Sequence, residues 1–123
     1  MDFQLNQEQL FLRDMASDFA NKKFWPEAAS WDEEHIFPQD ALREAAALGM
    51  AGMVAREDIG GAELKRLDAA LVFEQLASAC VSSSAYLSIH NMVTSLIDTY
   101  ASGHYEQHGG LVLRRWKYFQ VIV

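Results

Sequence analysis

A chain of 123 residues, half of them hydrophobic and 22% charged, has the make-up of one globular domain and not of two, nor of a disordered segment. Its net charge of −7 argues against nucleic acid as a partner, because phosphate binding needs clustered Lys and Arg. No apolar run approaches the roughly 20 residues of a membrane span, and the acidic, polar start MDFQLNQEQL reads as neither a secretory signal nor an Arg-rich transit peptide.

Taken in chain order, Leu5-Asn6-Gln7-Glu8-Gln9 reads as a helix start. Asn6 is placed to cap the free amides, and Gln9 to reach back three residues later. Phe11, Met15 and Phe19 recur at i, i+4 and predict an apolar stripe through about Lys23. Pro26 suits the first turn of a short second helix through Ala28, Ala29 and Trp31. Pro38 opens a third, with Leu42, Ala45 and Ala46 on one face and Gly49 to end it. Met50 to Glu63 lacks a sustained period and contains Gly52, Gly60 and Gly61. It predicts a loop with one short extended piece at Met53–Ala55. Leu64, Leu67, Leu71, Phe73 and Leu76 mark a fourth helix. Cys80, the one cysteine, excludes an internal disulfide, fits a reducing compartment and reads as a buried structural thiol. Ser82, Ser83 and Ser84 sit where a cap belongs, and a fifth helix runs to about Ser102, stopped by Gly103. Five helices with short connections and no strand ladder predict an all-α antiparallel bundle.

The chemistry-bearing constellations are few. His104-Tyr105-Glu106-Gln107-His108 has zinc-like spacing, but it follows a helix-stopping glycine and lacks a third ligand, so no metal site is expected. Asp58-Ile59-Gly60-Gly61 lacks the spacing of a phosphate loop and reads as a plain turn. Asp32-Glu33-Glu34 reads as a solvated face. Glu74 is a carboxylate in an apolar helix with no cofactor or nucleophile beside it, so no catalytic residue is assigned. The fifth helix is more pointed. Ser84, Ser88, His90, Asn91, Thr94 and Ser95 interrupt its apolar pattern, with Tyr86 nearby. Two readings stand: a core helix whose polar side chains are hydrogen-bonded, or a helix lining a ligand cavity.

Several stretches carry a family resemblance. Leu5–Gln9 (LNQEQ) resembles the opening helix of acyl-CoA dehydrogenases. Ser30–Cys80 (SWDEEHIFPQDALREAAALGMAGMVAREDIGGAELKRLDAALVFEQLASAC) is similar to the same domain in the isobutyryl-CoA branch, with its Phe-Pro start of the third helix, its Leu-Gly exit and its Gly60-Gly61 turn. Ala85–Met92 (AYLSIHNM) is the most branch-specific piece. The resemblance implies an FAD-dependent α,β-dehydrogenation of a short or branched acyl-CoA, with a glutamate base removing the α proton as hydride goes to the flavin. It implies that this helical domain supplies one wall of the acyl pocket. The family's pocket-lining positions fall on Ser84, Ala85, Ser88 and Ile89, spaced i, i+1, i+4 and i+5 so as to share a face that Met92 continues. It also implies homo-oligomers, and a mitochondrial matrix location for eukaryotic relatives; a bacterial chain without a targeting peptide is expected in the cytoplasm.

The resemblance covers Leu5–Gln107, so residues 1–107 are expected to form the domain. Residues 1–107 carry 7 − 17 = −10 of charge and residues 108–123 carry +3, a break in composition. HGGLVLRRWKYFQVIV departs from the family, whose flavin cradle and glutamate base lie in later domains. This chain alone is therefore expected to be inactive. A one-base frame shift would let the codons of Trp116–Val123 encode six of eight residues of the family's next segment. The alternative to a flavoenzyme domain is a stand-alone helical interaction module, with Arg114–Phe119 as a docking segment.

Overall fold

The computed structural model describes residues 3–100, and these form an all-α bundle. The helices are α1 (Gln7–Phe19), α2 (Ala28–Glu33), α3 (Gln39–Ala47), α4 (Arg66–Ala79) and α5 (Val81–Tyr100). There is no strand among the described residues. The expected end of the fifth helix at Ser102–Gly103, the His104/His108 pair and the basic tail all lie outside them.

α1 begins as the sequence predicts. Asn6 Oδ1 accepts from the Gln9 amide at 2.8 Å, and Gln9 Oε1 accepts from the Asn6 amide at 3.1 Å. Gln9 Nε2 then donates to Asp68 Oδ1 at 2.9 Å, while Asp68 Oδ2 accepts from the Lys65 amide at 3.2 Å. The starts of α1 and α4 are thereby joined across 59 residues of chain. The packing of α1 on α4 is the main helix pairing of the fold.

The stripe predicted for α1 departs from expectation at its first residue. Phe11 points outward at 69% exposure, while Met15 and Phe19 face the core as expected, joined there by Leu12 and Ala16. Past Phe19 the helix widens into one π-helical turn, Ala20–Phe24, closed by Trp25 N–H donating to Ala20 O at 2.9 Å. Phe19 and Phe24 lie five residues apart, a separation that an α-helix turns to different sides and a π turn brings together. Both are buried, their rings edge-to-face at 5.3 Å, and Phe24 meets Trp31 of α2 at 5.9 Å.

Gly49, at φ 89°, ends α3 in the left-handed region, as expected. The next segment is an irregular part of the core: Met50, Ala51, Gly52, Met53 and Ala55 are buried. It turns through a 3₁₀ helix at Glu57–Ile59 and folds back, with Leu64 N–H donating to Met53 O at 2.7 Å and Glu63 N–H to Ala55 O at 2.9 Å. Gly61 has to be glycine here, because a Cβ would run into the Ala55 carbonyl. α5 follows α4 after Cys80 alone, so Ser82–Ser84 lie inside its first turn and do not precede it as a cap. Cys80 Sγ–H donates to Ser83 Oγ at 3.2 Å.

Candidate functional site

α5 is an inverted amphipathic helix. Its buried residues are Ser83, Ser84, Leu87, His90, Asn91 and Thr94, all but one of them polar. Its exposed large residues are Val81, Ile89, Met92, Val93, Leu96 and Tyr100, all apolar or aromatic. At about 100° per residue the two sets lie on opposite sides of the helix. A surface helix ordinarily does the reverse, turning its apolar stripe to the core.

Four of the five inward polar side chains, those of Ser84, His90, Asn91 and Thr94, bond to backbone groups. Ser84 Oγ donates to Phe73 O of α4 at 3.2 Å. Asn91 Oδ1 accepts from the Met53 amide at 2.7 Å, and its Nδ2 donates to Met50 O and Leu87 O, each at 2.8 Å. His90 Nδ1–H donates to Ala51 O at 2.6 Å, which fixes that nitrogen as the protonated one. Burial holds the His90 pKa below its ordinary value, against the opposing pull of the Ala51 hydrogen bond. Thr94 Oγ1 donates to Asn91 O at 3.0 Å. For His90 and Asn91 the hydrogen-bonded core reading is thus the one the structure supports. Tyr86 packs edge-to-face on Phe37 at 5.2 Å, and burial raises its pKa.

The five residues expected on one pocket face occupy about 140° of the helix circumference. Ser84 is the inward edge of that sector. Ser88 and Met92 face a groove of about 280 Å³ between α4 and α5, walled by Val54, Ala69, Ala70, Phe73 and Leu96, with Arg66 at its rim. Ala85 and Ile89 are exposed on the outward side, Ile89 at 59%. The structure therefore brings Ser88 and Met92 together, sets Ala85 and Ile89 beside them on the surface, and commits Ser84 to helix packing. Val54 and Phe73 were missed as groove residues. The signal for Phe73 was its place on a helix adjacent in sequence; Val54 had none, since it is brought in by an irregular segment.

Glu74 is exposed on α4. The Gly60 and Gly61 amides donate to Glu57 O and Arg56 O, each at 2.9 Å, so neither glycine amide of this turn is free for a phosphate. Among the described residues there is no cluster of three or more His, Cys, Asp or Glu able to hold a metal. No described helix is long and apolar enough to cross a membrane.

A family model described as "Acyl-CoA dehydrogenase, N-terminal domain" matches residues 6–119. Isobutyryl-CoA dehydrogenase, mitochondrial, of Dictyostelium discoideum is 51% identical over 98 residues, 80% of this chain and 24% of that protein. The Bos taurus protein of the same name is 44% identical over the same shares. A solved structure titled "FAD complex of PigA" superposes with a TM-score of 0.86 at 26% identity, covering 95% of this chain and 31% of the other. The chain spans about a quarter of the length of the curated relatives it matches.

Proposed function

Since the chain belongs to the acyl-CoA dehydrogenase family, as its N-terminal helical domain, we propose that α5 forms one wall of the acyl pocket in a dehydrogenase acting on a short or branched acyl-CoA. The observation that carries this reading is the inversion of α5. A helix that spends its polar residues on internal hydrogen bonds and shows Ile89, Met92, Val93 and Leu96 outward is shaped to be covered by something apolar. Ala85 and Ser88 are small, so an acyl chain has room beside them; Ile89 and Met92 supply the apolar bulk that closes that space. Ser84 supports the wall from behind through α4. We read residues 1–107 as the unit that does this, in the cytoplasm of a bacterium or the matrix of a mitochondrion.

FAD is the cofactor of the family. The described residues do not fit it as sole holders: the amides of Gly49, Gly52, Gly60 and Gly61 are engaged by backbone carbonyls, and the α4–α5 groove of about 280 Å³ is too small for a dinucleotide. The part assigned to this domain is substrate binding and size selection.

The test uses an intact enzyme carrying this domain. Ile89→Gly lengthens the pocket and Ser88→Leu shortens it. Each buried methylene is worth ~0.8 kcal/mol, so discrimination between neighbouring chain lengths moves about several-fold per carbon, in opposite directions for the two variants. The measurement is kcat/KM across straight and branched C4 to C8 acyl-CoAs. A uniform loss with the ranking unchanged means that this face packs and does not select.

A further inference from the structure

The segment from Met50 to Arg56 is irregular yet mostly buried, so its backbone polar groups must find partners inside the protein. Many of those partners lie on α5. Asn91 takes Met53 N–H at 2.7 Å and Met50 O at 2.8 Å. His90 takes Ala51 O at 2.6 Å. Asp98 accepts from the Arg56 amide at 3.1 Å and from Arg56 Nε at 2.6 Å, and its side chain is only 11% exposed. Residues 90, 91 and 98 share one side of the helix and span about 12 Å of its length. Between the Asn91 and Asp98 attachments sits Val54, which walls the α4–α5 groove together with Ser88, Met92 and Asn91 itself, so the Met53 exchange rate is the readout that separates the fastening from Asn91's own share of the wall.

We propose that Asn91 is a positioning residue for acyl size: by fastening Met50 and Met53 to α5 it fixes Val54 as an unyielding wall of that groove. This rests on the reading of α5 as the acyl wall. The chemistry demands a carboxamide. One partner is an N–H and the other two, Met50 O and Leu87 O, are carbonyls, so the side chain must accept from one end and donate from the other. Aspartate would set a carboxylate against two carbonyls, and leucine would leave Met53 N–H and Met50 O unpaired, Leu87 O keeping its helical bond to the residue-91 amide. With Asn91 in place Met53 is held on both its N–H and its carbonyl, the latter by Leu64 N–H. Without it, the Met53 carbonyl, the Glu63–Ala55 bond and the Arg56–Asp98 pair still hold the chain beside Val54, but the Asn91 tie to α5 on its N-terminal side is lost and Val54 yields to a longer chain.

The experiment uses the full chain in solution, comparing wild type, Asn91→Ser, Val54→Ala and Leu87→Ala. Leu87 is fully buried on the same helix and takes no part in the fastening through its side chain. Two quantities are read by NMR: amide exchange at Met53 relative to Val72 in α4, and the ratio of affinities for isobutyryl-CoA and hexanoyl-CoA. Asn91→Ser is expected to speed Met53 exchange at least tenfold over Val72 and to move the affinity ratio about three- to five-fold toward hexanoyl-CoA, the effect of roughly one methylene of extra room. Val54→Ala is expected to move the ratio the same way with Met53 still protected, which keeps the test open if Asn91→Ser does not fold. Leu87→Ala is expected to loosen the helix generally with the ratio unmoved. The inference is overturned if Val54→Ala leaves the ratio at the wild-type value, if a folded Asn91→Ser does so, or if Leu87→Ala shifts it as much. In the intact enzyme, a substrate ranking unmoved by Ile89→Gly and Ser88→Leu overturns the acyl-wall reading as well; a moved ranking there with an unmoved affinity ratio here overturns this inference alone.

Discussion

At the scale of single residues, the polar side chains of α5 divide by what they touch. Asn91 holds groups 38 and 41 residues away, whereas Ser88 Oγ donates only to Ala85 O of its own helix at 2.8 Å. Asn91→Ala is therefore expected to cost about 2–4 kcal/mol, since an amide and a carbonyl are left buried and unpaired, while Ser88→Ala stays within about 0.5 kcal/mol. Urea unfolding of the two variants checks both. His90 makes stability depend on pH. Its folded pKa lies below the ordinary 6.5, so on acidification the unfolded chain takes up the proton first. The His90 contribution is fully present above pH 6.5 and is lost as pH falls through the lower, folded-state pKa. Melting temperatures from pH 7.5 to 5 are expected to drop more steeply for wild type than for His90→Asn. The hydrogen-bonded core role was one of the two readings that the sequence offered, but the partners were not legible. A histidine and an asparagine inside an apolar helix look alike as ligand groups and as backbone partners, and what separates them here is contact with a segment some forty residues upstream.

Helices were legible because their signals are local. The Asn6/Gln9 cap, Pro38 before α3 and Gly49 after it each act through bonds within a few residues. Asn6→Ala is expected to lower stability by about 1 kcal/mol in thermal melts, as loss of an N-cap does. Phe11 misled the α1 assignment because an i, i+4 pair also fits a stripe turned outward, and only packing on α4 decides between them. The face of α5 was predicted as one pocket surface, and the structure spreads it from buried Ser84 to exposed Ile89. Periodicity gives the angle between residues on a helix but not which angle points inward, and here the polar side does. Ile89→Ser and Leu96→Ser are accordingly expected to change stability by less than about 1 kcal/mol, well short of the 2–5 kcal/mol lost on truncating a core leucine. Both are expected to weaken self-association and binding of a hydrophobic dye; sedimentation and fluorescence titration measure this.

Over the whole molecule, bundle class and family were legible from the motifs along the chain, and the described helices agree with them. The groove was not, because it needs α4, α5 and the irregular segment at once. The 123-residue chain expressed alone is expected neither to retain stoichiometric flavin nor to reduce dye with acyl-CoA, since its described residues supply no dinucleotide cradle and no carboxylate base facing the groove. Absorbance near the flavin bands and a dye-reduction assay decide this. The join between Gln9 and Asp68 has a further consequence, for the order in which the domain is made. α1 leaves the ribosome first, but the surface it packs on is α4, which begins at Arg66. Until then its inward face has nothing to cover it, and the buried Met50–Ala55 segment waits longer still, for partners on α5. The core cannot be completed before α4 and α5 are made, so a ribosome stalled midway holds a chain with its future core open to chaperones and proteases.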